Sequence, residues 1–132
     1  MNSNWIIKNN PFEILYLAFK RLFPGIEYTA YFEPNIRDTE NGEKVCGLTD
    51  FADDGVITIF IGTDLTINDA VEIFAHELAH AGAGVKHEHD EVWEKAFDAL
   101  FAEYNKLGEE LFSSTIKPPK GEDYSNAIKG LG

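Results

Sequence analysis

A chain of 132 residues, 44% hydrophobic and 13% aromatic, can bury one core without staples and is too short for two ordinary domains. With 23 acidic against 11 basic side chains the net charge is −12, which repels phosphate backbones, argues against nucleic-acid binding, and suits basic or neutral substrates. Cys46 is alone and cannot close an internal disulfide, no apolar run approaches a membrane span, and the opening Met1-Asn2-Ser3-Asn4-Trp5 does not read as a signal peptide, so a soluble cytoplasmic protein is expected.

Phe12, Leu15, Phe19, Leu22 and Phe23 recur at helical spacing, which predicts an amphipathic helix over residues 11–23, stopped by Pro24-Gly25. Ile26, Tyr28, Ala30 and Phe32 alternate with more polar neighbours, as in a strand. Asn41-Gly42 is a turn signal before a second strand near 44–51, and Asp54-Gly55 another before a third at 56–61. The expected sheet is a three-stranded meander, mainly antiparallel, in an α+β domain.

A second helix follows, with Thr66 or Asn68 as its cap. Val71, Phe74, Leu78 and Ala81 mark its core side, and Gly82 and Gly84 its end. On the opposite side lie His76 and His80 of the stretch His76-Glu77-Leu78-Ala79-His80. Residues at i and i+4 share a helix face, so the two imidazoles can grip one metal ion. Glu77, about 100° round the helix, can reach a water on that metal. This is the HExxH pattern of zinc-dependent proteases. Glu72, one turn before His76, is a candidate to orient an imidazole.

A catalytic zinc usually takes three protein ligands and leaves the fourth position open. Ala83 and Lys86 stand where a metzincin would need glycine and histidine, which excludes that class. The third ligand is then His89, His87 or Glu94. A third helix is expected from Asp90, its cap, with a stripe of Trp93, Phe97, Leu100, Phe101, Tyr104, Leu107 and Leu111. His89 lies four residues before Trp93, in line with that stripe, and is favoured for pointing inward. His87 then falls at the rim of the cleft and Glu94 in a solvated first turn. Tyr104, His87 and Tyr31 are the candidates for stabilising an oxyanion.

His76-Glu77-x-x-His80 followed by His89-Asp90-x-x-Trp93 resembles the SprT-like branch of the zincin metallopeptidases, over about residues 56–101. The resemblance implies a zincin-like fold, one zinc ion held by His76, His80 and His89, and Glu77 as general base for peptide-bond hydrolysis. It also implies that the strand before the site helix lies near the cleft, where an extended peptide could add to a free sheet edge. The chain departs from many members in carrying only Cys46, and so no cysteine-based zinc ribbon. It also lacks the basic surface of members that act on DNA-bound proteins.

Pro118-Pro119 and the Ser, Lys and Gly around them predict a flexible extension over 113–132, with a short docking turn near Tyr124 to Ile128 that could bind a protein partner. The metallopeptidase domain is thus expected to span 1–112. Two other functions compete. One is a metal-dependent RNA hydrolase using three histidines, which the glutamate and the acidic surface disfavour. The other is a non-catalytic zinc-stabilised module that binds a protein, for which Glu77 would be unnecessary.

Overall fold

A computed structural model describes residues 9–114, with side chains through residue 110. The architecture is α+β, in the order α1 (Pro11–Leu22), β1 (Thr29–Glu33), β2 (Gly47–Phe51), β3 (Ile57–Gly62), α2 (Ile67–Ala83), α3 (Glu91–Ser114). Asn10 caps α1 by accepting the Phe12 N–H at 3.0 Å, Pro11 takes a first-turn position where its missing N–H costs nothing, and Ile14, Leu15, Ala18 and Phe19 form the buried face. The extension over 113–132 lies outside the described residues apart from its start, since α3 continues through Ser114.

The strands do not form a meander. β3 is central, parallel to β1 on one side and antiparallel to β2 on the other, so the sheet is mixed and the expected meander is corrected. The physical reason lies in the composition of the strands. Ile57-Thr58-Ile59-Phe60-Ile61 is nearly continuous in apolar residues and suits a position flanked on both sides. Thr29 and Glu33 in β1, and Thr49 and Asp50 in β2, suit edges. The Asn41-Gly42 turn forms, with Gly42 at φ +73°, but it closes a small hairpin bridged between Arg37 and Lys44 and pinned by buried Ile36. It does not join β1 to β2. The Asp54-Gly55 turn does join β2 to β3, with Gly55 at φ +90°, where a Cβ would be strained.

Helix α2 runs through the middle of the molecule. Its Thr66 Oγ1 accepts the Asp69 N–H at 3.1 Å, and Gly84 at φ +101° ends it. Ala70, Val71, Phe74, Ala75, Leu78 and Ala81 meet Ile59 and Ile61 of the sheet, Leu15 and Phe19 of α1, and Leu100, Tyr104 and Leu107 of α3 in one core. Gly82 lies in the last turn of α2, packed so closely that a Cβ there would sit 2.7 Å from the Phe23 ring. Among the described residues no helix is long and apolar enough to cross a membrane.

Candidate metal centre

Tight packing on the core side of α2 determines what the other side presents. With Val71, Phe74, Leu78 and Ala81 buried, His76 and His80 emerge together beside the start of α3. Asp90 begins that helix, its Oδ1 accepting the Trp93 N–H at 3.0 Å. Just before it, His89 adopts φ +52°, the single positive φ at a non-glycine among the described residues. Side chains seldom tolerate that region, and residues held there concentrate at functional sites. The turn directs the His89 imidazole onto α2.

One ligand atom from each of His76, His80 and His89 lies within 4.8 Å of the others. The Nε2 atoms of His76 and His89 are 3.0 Å apart. An Nε2–H on one ring would make this a hydrogen bond; with both protons on Nδ1, both lone pairs face the same space. Two nitrogens bound to one tetrahedral zinc stand about 3.3 Å apart, given Zn–N of about 2.0–2.1 Å. The donor set fits a zinc ion on this ground. It also fits on charge, since a ligating imidazole must be neutral. Burial, and then the neighbouring His80 and His89, pull His76 down to about 4. Burial and His89 lower His80 in the same sense.

Trp93 forms the floor under the three imidazoles. Its ring centroid is 4.8 Å from that of His76, 5.5 Å from His80 and 4.7 Å from His89, and it stacks on Phe97 at 5.0 Å. The indole Nε1 is buried and has no hydrogen-bond partner, and the same holds for Glu72 Oε2. Glu72 therefore makes no hydrogen bond to His76, although it lies one turn away; burial, and then Asp69, raise its proton affinity.

Glu77 is the one charged residue buried among the described residues, at 7% exposure. Burial pushes its carboxyl up to about 7, against the pull of a hydrogen bond from Thr49. Thr49 Oγ1 stands 2.7 Å from Glu77 Oε1 and 3.1 Å from the Glu77 carbonyl oxygen. A hydroxyl carries one proton, and the nearer, ionisable oxygen takes it. Gly47, two residues before Thr49 and so on the same face of β2, brings backbone beside the other carboxylate oxygen, Oε2.

His76, Glu77, His80 and His89 line an open cleft of about 270 Å³ with Gly47, Thr49, Phe51 and Asp38. The strand along this cleft is β2, an edge strand. β3, the strand directly before the site helix, contributes none of the lining itself but pairs with β2, which does. His87 also lines the cleft, but its Nδ1 pairs with Asp90 Oδ2 at 2.7 Å, outside the histidine trio. Glu94 is exposed on α3. Of the oxyanion candidates only His87 reaches the cleft, since Tyr104 is buried in the core and Tyr31 stacks on Phe60. Sequence reasoning missed Thr49 and Gly47. A glycine inside a strand is a sign of close backbone approach, and that signal was present.

Comparison with protein-family models, with curated proteins and with solved structures finds no match.

Proposed function

We propose that the chain is a zinc-dependent peptide-bond hydrolase of zincin type, closest in pattern to the SprT-like group. The observation that carries this reading is the meeting, in one cleft, of three imidazoles within 4.8 Å of one another with a buried carboxylate on the same helix. His76, His80 and His89 would hold the ion. When bound, zinc supplies Lewis-acid polarisation of a substrate carbonyl and a water of lowered pKa. Glu77 takes the proton from the attacking water at Oε2 as the new C–O bond forms. It then delivers that proton to the amine nitrogen as the C–N bond breaks. An extended peptide pairs through its main chain with the free edge of β2, which borders the cleft. The acidic chain and the carboxylates of Asp38 and Glu88 at that cleft favour basic or neutral peptides over polyanions.

The test is a Glu77→Gln variant compared with wild type, both loaded with zinc and assayed on unstructured protein substrates and on RNA. The expected result is equal zinc content with turnover of peptide bonds at least about 100-fold lower in the variant. Equal turnover in the two proteins overturns the role of Glu77. Digestion of RNA but not protein overturns the substrate class, and retention of biological activity in the variant points to a binding module.

A further inference from the structure

We infer that Thr49 is a positioning residue for Glu77, and that strand β2 sets which carboxylate oxygen is free to move a proton. The inference rests on the reading of Glu77 as the base.

Glu77 has a long side chain with three rotatable bonds, and α2 alone determines only where it starts. The contacts that determine where it ends come from β2. Thr49 Oγ1 stands 2.7 Å from Oε1 and occupies that oxygen. A Cβ built on Gly47 would sit 3.0 Å from Oε2, 3.2 Å from the Glu77 Cγ and 2.5 Å from Ile73 Cγ2. Oε2 therefore has room on the strand side only because residue 47 has no side chain. Gly47 and Thr49 lie opposite Ile61 and Ile59 in the pairing with β3, so both project toward α2. From β2 the carboxylate thus has the Thr49 hydroxyl on one oxygen and the bare Gly47 backbone beside the other. Burial at 7% exposure leaves it little water to make good a lost partner. A base held this way is preorganised for proton transfer, whereas a carboxylate free to rotate must be ordered in each turnover.

The decisive variant is Thr49→Val, which keeps the shape and removes the hydroxyl; Thr49→Ser restores the hydroxyl and removes only a methyl. Two readouts are taken. The first is kinetic, on zinc-loaded protein. Thr49→Val lowers kcat about 10- to 100-fold, the range known for residues that orient metal ligands, while KM and zinc content stay at wild-type values, and Thr49→Ser restores most of the rate. The second is the 13C resonance of the Glu77 carboxyl in metal-free protein, assigned by its loss in Glu77→Gln. It shifts in Thr49→Val and returns in Thr49→Ser.

An unmoved Glu77 resonance in folded Thr49→Val overturns the inference, as does an unchanged kcat. Parallel loss of zinc, KM and stability assigns Thr49 a general structural role and overturns it too. If Thr49→Val does not fold, Thr49→Ser and Thr49→Ala replace it, and only a resonance and a rate that follow the hydroxyl support the inference. Wild-type protein that cleaves no peptide defeats the proposed function, while the carboxyl resonance still decides whether Thr49 holds Glu77.

Discussion

At residue 89 the backbone takes φ +52°, and the imidazole of that residue completes the histidine trio. The left-handed region costs a residue with a Cβ on the order of 1 kcal/mol, which glycine avoids. His89→Gly should therefore leave the metal-free protein about 1 kcal/mol more stable than His89→Ala, while both lose most of the zinc bound by wild type. Thermal denaturation with a chelator and zinc titration measure the two effects separately; equal stability of the two variants would remove the strain argument. Glu77 supports a prediction in pH. Burial raises its carboxyl from 4.5 to about 7, so between those values the folded protein binds more protons than the unfolded chain. Stability then falls as pH rises through that window, and the full penalty applies above about 7. Glu77→Gln removes the penalty. Without metal the variant should match wild type near pH 4.5 and exceed it by about 3 kcal/mol above 7, measured by denaturant titration across that range. The lowered proton affinity of His76 is common to both proteins and cancels in the difference.

At the level of elements, β2 has two duties, one on each side. Toward α2 it must come close enough for Thr49 to reach Glu77, and the bare Cα of Gly47 allows this. Gly47→Ala should cost about 1–3 kcal/mol through overpacking against Ile73 and Glu77, seen as a lower denaturation midpoint. Toward the cleft the same strand has an unpaired edge. N-methylation scanned through a peptide substrate should abolish cleavage at alternate positions, where a main-chain N–H is lost. Equal tolerance at every position would remove edge pairing from the proposed function. The elements were readable in sequence to different degrees. α1, α2 and α3 were legible because apolar stripes are local, and so was the Asp90 cap; the α2 cap stayed open between Thr66 and Asn68, and the Asn10 cap of α1 was not read. The strand segments were legible too, but not their order, because alternation says which face a residue takes and nothing about which neighbour it pairs with.

For the molecule as a whole, the core joins all three helices to β3 and reaches Leu15, Phe19, Ile59, Leu78 and Leu100 with under 2% exposure each. None of these residues belongs to the candidate metal centre. The fold therefore should not depend on the ion, as that of a small zinc finger does. Chelation is expected to keep the far-ultraviolet circular dichroism spectrum while lowering Tm. At a free zinc concentration about 100-fold above Kd the ion adds about 2.7 kcal/mol, or roughly 10 °C for a domain of this size. Loss of helical signal on chelation would instead give the metal a folding role and favour the module reading. The ion would also tie α2 to the loop before α3, since two ligands lie on the helix and His89 on the loop.

The sequence by itself determined the features that depend on near neighbours along the chain: the helices, their caps, the tight turns, and the placing of His76, Glu77 and His80 on one side of α2. It ranked His89 above His87 and Glu94 from a single periodic stripe. Only the tertiary structure brought the His89 ring to His76 across the α2–α3 turn, and tied His87 to Asp90 instead. Tertiary packing alone also made β3 central, put Trp93 beneath all three imidazoles, and closed Thr49 on Glu77 across 28 positions of chain. The physical reason is range. A cap or a helix face is determined by atoms within a few residues, whereas strand order and the environment of a buried carboxylate depend on which distant surfaces exclude water together.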